Sequence, residues 1–166
     1  LTVSGGSYVD LSGGPATQTL NGGVTLISGT IYGRAISSSG VFDVQSGSIS
    51  SVLTGTGSLN KTTSGSVTLS AANSFTGGLT VTAGTLTLSG ANSYTGNNTV
   101  ANGATLNISG SGKLGAITNA LTVNGGTVNL NGTNQTQNGG VTLTSGSITS
   151  GTLNSSGTFA LESGSI

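Results

Sequence analysis

The sequence has no cysteine, histidine, methionine or tryptophan, and only six of its 166 residues are Lys, Arg, Asp or Glu. Each absence removes a class of function. Without cysteine there is no disulfide and no thiol chemistry. Without histidine a serine nucleophile lacks its commonest base. Net charge is zero and the six charges are scattered, so no basic stripe tracks a phosphate backbone and no polybasic face meets an anionic membrane. Apolar runs last only a few residues, against the roughly 20 needed to cross a bilayer as a helix. Proline occurs once, at Pro15.

What the chain does have is glycine, 31 residues, and 55 Ser and Thr residues. Such a composition usually marks disorder. Here, however, Val, Ile and Leu stand in short alternating runs: Ser66-Val67-Thr68-Leu69, Leu79-Thr80-Val81-Thr82, Thr85-Leu86-Thr87-Leu88, Thr105-Leu106-Asn107-Ile108, Thr127-Val128-Asn129-Leu130 and Val141-Thr142-Leu143-Thr144. Period-two alternation puts aliphatics on one face of a strand and Thr or Asn on the other. No apolar residues recur at helical spacing. Gly-Gly, Ser-Gly, Asn-Gly and Thr-Gly pairs separate the runs and suit tight corners. The stretch Pro15-Ala16-Thr17-Gln18, where the two copies described next differ in length, is expected to be an outward loop.

The chain repeats on two scales. Residues 121–166 restate residues 1–49, and from Asn21 and Asn138 onward roughly 17 of 29 positions are identical. The tandem unit is therefore residues 1–120, with a partial second copy at 121–166. Within it, residues 65–88 match residues 84–108 at an offset of 19, placing Asn73 over Asn92 and Phe75 over Tyr94. A coil of about 19 to 22 residues with two or three short strands is the size of one turn of a β-solenoid. The expectation is an all-β parallel β-helix, one continuous segment over 1–166. About eight rungs rising about 4.8 Å each would make a rod on the order of 40 Å long.

The segment at 55–88 resembles the passenger-associated β-strand repeat of bacterial autotransporters. The matching positions are Gly55, Gly57, Leu59, Lys61, Gly65, Leu69, Ala72, Asn73, Gly77, Gly78, Gly84 and Leu86; a less complete match covers 84–108. The resemblance implies a right-handed parallel β-helix on a secreted or surface-displayed bacterial protein. It implies no activity, because the repeat is a scaffold element in that family.

Chemistry finds few residues to work with. Asp10, Asp43 and Glu162 align with Asn129, Ala160 and Gln45 in the other copy, so no acid recurs at an equivalent position and no enzymatic role is expected. No Asp follows the Gly-Gly pairs at the spacing of calcium-binding solenoid repeats, and neither metal nor cofactor is expected. Lys61 is expected to lay its aliphatic stem over the rod surface. Phe75 and Tyr94 have two readings: aromatics stacked on successive rungs inside the rod, which the pattern favours, or an exposed strip for carbohydrate stacking. The expected role is an extracellular or cell-surface rod, stalk or fibre, stacking end to end on flanking repeats or on other copies through its unpaired edges. The alternative is an adhesin binding a host surface or glycan. Nucleic acid is not an expected partner.

Overall fold

The computed structural model describes residues 1–166 and contains strands and corners but no helix. The chain winds as a parallel β-solenoid of eight full rungs and the start of a ninth. Side A collects Thr2–Val3, Val24–Leu26, Phe42–Val44, Leu59–Lys61, Leu79–Val81, Asn98–Val100, the first halves of Leu121–Asn129 and Val141–Thr149, and Phe159–Leu161. Side B collects Ser7–Asp10, Gly29–Tyr32, Gly47–Ile49, Ser66–Leu69, Thr85–Leu88, Thr105–Ile108 and the second halves of the two long strands. All pairings are parallel, each strand lying between its equivalents one turn away. On side C strands occur in rungs 1–3 (Thr17–Thr19, Ala35–Ser37, Leu53–Thr54) and in rungs 7 and 8 (Asn134–Thr136, Thr152–Asn154), but not in rungs 4–6.

Register fixes the rung length. Along side A, Thr2, Thr25, Asp43, Asn60, Thr80, Thr99, Thr122, Thr142 and Ala160 stand one above another, so successive turns take 23, 18, 17, 20, 19, 23, 20 and 18 residues. This range is wider than the 19 to 22 expected, because the strands hold register while the corners absorb length. The two copies, aligned at Thr25 and Thr142, are six rungs apart. One expectation is corrected: half of the stretch at 15–18 is no loop, since Thr17–Thr19 pairs with Ala35–Ser37 as the first strand of side C. Its Thr-Gln-Thr sequence carries no aliphatic to announce a strand.

Thirty buried apolar residues form one continuous column. Alternation decides which residues enter it. On side A the inward rows are Val24, Phe42, Leu59, Leu79, Asn98, Leu121 and Val141, and beside them Leu26, Val44, Lys61, Val81, Val100, Val123 and Leu143. Burial of a Val, Leu or Ile contributes about 1.5–3 kcal/mol, so the column is the main stabilising term.

Corner glycines are required where one turn passes close over the next. Gly84 has φ +66°, and a Cβ there would lie 2.3 Å from the Gly65 carbonyl oxygen and 2.4 Å from that of Thr63. Gly103, in the same corner one rung on, has φ +73° but open space around it. Gly103→Ala is therefore expected to cost about 1–2 kcal/mol from left-handed backbone alone. Gly84→Ala should cost a further ~1–3 kcal/mol from overpacking against backbone that cannot yield. Urea denaturation of the two variants measures the difference, and equal losses would refute the close-approach argument.

Candidate functional site

The most organised polar constellation lies inside the rod, on side C of rungs 4–6, where the backbone strands are missing. Asn73 and Asn92 are 1 % and 2 % exposed. Asn73 Oδ1 accepts from the Leu53 amide at 2.9 Å, and Asn73 Nδ2 donates to Ala71 O at 3.1 Å and to Asn92 Oδ1 at 2.9 Å. Asn92 Oδ1 also accepts from the Asn73 amide at 3.0 Å, while its Nδ2 donates to Gly90 O at 2.9 Å and Lys113 O at 3.1 Å. One turn further, Gln135 Oε1 accepts from the Leu114 amide and Gln135 Nε2 donates to Gly112 O, both at 3.0 Å. Side-chain amides thus supply part of the inter-rung bonding that a third strand would have provided. A buried backbone polar group must find a partner, and Asn or Gln presents a donor and an acceptor together.

A second polar group adjoins it. Tyr94 Oη donates to Asn98 Oδ1 at 2.6 Å, and Asn98 Nδ2 donates to Leu114 O and to Gln137 Oε1, both at 3.0 Å. Asn119 Nδ2 donates to Tyr94 O at 3.0 Å. Two buried atoms, Ser51 Oγ and Asn119 Oδ1, have no partner within the chain. Burial pushes the Tyr94 phenol far above its usual range.

Phe75 and Tyr94 are brought together, but inward. Their rings stack at 4.8 Å with 2° between planes, and Phe42 tilts against Phe75 at 6.1 Å. Both residues are fully buried, which corrects the carbohydrate-stacking reading: neither ring offers a face to a sugar. Lys61 is the second correction. Its place in the inward row between Val44 and Val81 buries it completely, and Nζ donates to the Thr63 and Ala83 carbonyls. Desolvation holds its ammonium below the usual lysine range, partly offset by Asp43.

The remaining charges do not converge. Asp10 is exposed on rung 1, where its carboxylate accepts from the Ser12 amide at 2.8 Å and is held below the usual range by Ser12. Asp43 on rung 3 accepts from Gln45 Nε2 at 2.9 Å and Thr62 Oγ1 at 2.7 Å. Glu162 stands on rung 9, exposed. Arg34 Nε donates to Ser12 O at 3.2 Å, and Lys113 is exposed. No group of three potential metal ligands occurs. Two open clefts of about 300 and 240 Å³ lie at rungs 7–9, lined by ends of the apolar column such as Leu130, Ile148 and Leu143.

Sequence reasoning missed Asn98, Asn119, Gln135 and Gln137 as buried amides. Only Asn98 carried a signal, because it takes the place of Leu79 in the alignment of rungs.

The buried amides and ionisable groups generate two predictions. Asn73→Ala and Asn92→Ala each leave buried partners unsatisfied and should cost about 2–4 kcal/mol. A double-mutant cycle should show the pair coupled by about 0.5–3 kcal/mol; simple additivity would refute the ladder. The pH response follows from three shifts. Asp10, lowered in the folded state, contributes fully above 3.8 and loses its share as pH falls below that. Lys61 is also lowered in the folded state, so the unfolded chain binds its proton more tightly, and stability rises as pH climbs towards 10.5. Tyr94 is raised, so its share is present below 10.0 and lost as pH climbs further. Thermal melts should thus show an alkaline maximum, with Lys61→Met abolishing the rise and Tyr94→Phe the fall.

No curated protein matches the chain, and no solved structure matches it. Residues 59–87 and 83–108 match the sequence profile of the passenger-associated-transport-repeat family. These span rungs 4 and 5 and sides A and B of rung 6, and they include the Asn73–Asn92 pair and the Phe75–Tyr94 stack. The chain is thus a parallel β-solenoid in which residues 59–108, under a third of its length, are similar to the passenger-associated-transport-repeat family.

Proposed function

We propose that the chain is a structural rod segment, a stalk or fibre element of a secreted or surface-displayed bacterial protein, that extends by stacking rung on rung. One observation carries this reading: over six rungs the second copy keeps most corner glycines and the inward aliphatics, while Asp43 and Arg34 become Ala160 and Gly151. What is copied is a shape, and selection for a reaction centre would copy the charges. The location follows the family matched at rungs 4–6.

End-to-end stacking draws support from the strands themselves. A solenoid coil presents unpaired N–H and C=O groups along its axis, and such an edge pairs with another strand. Here the partner is a flanking repeat of the same polypeptide or another copy of it. No role in catalysis is proposed. The adhesin alternative has lost its aromatic strip to the core and rests only on Ser-, Thr- and Asn-rich corners.

Solution scattering of one tandem unit and of two units joined in their natural order tests the rod. Six added rungs should lengthen the particle by about 29 Å at constant cross-section. Growth in all dimensions would contradict it. Saturable binding of the segment to a glycan array would favour the adhesin instead.

A further inference from the structure

Side B of rungs 4–8 carries a surface whose chemistry the rod does not need. Two outward columns run along it in strict register: Ser66, Thr85, Thr105, Thr127 and Ser147, and beside them Thr68, Thr87, Asn107, Asn129 and Thr149. Between the columns lie the buried Val67, Leu86, Leu106, Val128 and Ile148, which hold both columns on one plane of strands. Rungs repeat at about 4.8 Å and alternate residues along a strand at about 6.6 Å. The result is a rectangular net of short polar side chains, five rungs long and two columns wide.

Three properties distinguish this net. First, none of the six charged residues lies on side B in these rungs, so no ion there organises water into its own shell. Secondly, its polar groups are mostly uncommitted: within the net only Thr127 Oγ1 and Ser147 Oγ meet, at 3.4 Å, and Asn129 Oδ1 accepts from the Asn131 amide at 3.1 Å. Side A differs in width: in the same rungs its strands present a single outward column, Asn60, Thr80, Thr99, Thr122 and Thr142, and the hydroxyls that follow those strands turn into the chain, Thr62 to Asp43, Thr82 to Lys61 O and Thr144 to Val123 O. Thirdly, the net holds no aromatic ring, carboxylate or guanidinium, the groups by which a surface grips a sugar or a peptide.

A neutral, doubly periodic array of six threonines, two serines and two asparagines is complementary to a solid with the same two periods. Its spacings approach those at which oxygens repeat along the two axes of an ice prism face. We propose that side B of rungs 4–8 is an ice-binding surface, on which the threonine methyls and hydroxyls order water into the lattice. No bond is made or broken and no cofactor enters. Preorganisation by the rod lowers the entropic cost of binding, since these side chains stand on strands that are already fixed.

The full 166-residue chain would be assayed for inhibition of ice recrystallisation and for thermal hysteresis. Wild type is expected to arrest grain growth. Thr87→Tyr combined with Thr105→Tyr, bulky groups in the middle of the net, should abolish the effect, whereas Thr80→Tyr combined with Thr99→Tyr on side A should leave it intact. Circular dichroism and melting confirm that each variant folds. Should the first pair fold poorly, Thr105→Lys alone should give the same loss by placing a charge in the net. Absence of activity in wild type up to millimolar concentration, or equal loss from the side A pair, would overturn the proposal. So would binding to microcrystalline cellulose or chitin without any effect on ice, which would assign the net to a polysaccharide.

Discussion

Everything in this molecule depends on parallel pairing of each strand with its equivalent one turn away. The backbone ladder fixes the rise, and the pleat fixes which residues face in. Once Asn60 stands over Thr80, Leu59 must stand over Leu79 and Lys61 over Val81. A side chain's environment is then set by its column, and its own polarity has little vote. Lys61 is drawn into the core by this rule. Its charge is tolerated because two corner carbonyls lie within reach of its tip.

The same rule explains the polar interior of the middle rungs. Where side C loses its strands, the coil still has to close, and the backbone groups at residues 53, 73, 90, 113 and 114 still need partners. Asn73, Asn92 and Gln135 provide them from the inside. The stacked rings of Phe75 and Tyr94 fill the adjoining space. Amide ladder and ring stack are two parts of one solution; the Asn73–Asn92 pair and both rings fall within the segments that match the family profile, and Gln135 continues the ladder beyond them.

Much of this was legible in the sequence. The alternation of Val67 and Leu69, or of Leu86 and Leu88, reads directly as strand with an inward face. The offset of 19 that lays Phe75 over Tyr94 predicts stacking across one rung. What could not be read is the direction of a polar residue. Thr and Asn stand both on outward columns and inside, and only register separates Asn107, which faces out, from Asn98, which is buried between Leu79 and Leu121. Side C was equally hidden, since Thr-Gln-Thr and Asn-Gln-Thr lack the aliphatics that mark a strand. Lys61 is hidden for a related reason: lysine ordinarily prefers water, and the register that draws it into an inward column is not stated by the sequence.

A coil built of near-identical turns faces a hazard that a globular core does not: a turn can be skipped, and the remaining strands still pair with aliphatic on aliphatic. The buried polar set around Asn98 removes that degeneracy. Asn98 meets Tyr94, Leu114 and Gln137 together only when rungs 5, 6 and 7 follow one another in order. A slip by one rung would part the amide from these groups and strand its donor and acceptor without partners. In a rod whose other rows are interchangeable, this cluster works as an index mark, telling the folding chain which turn it has reached.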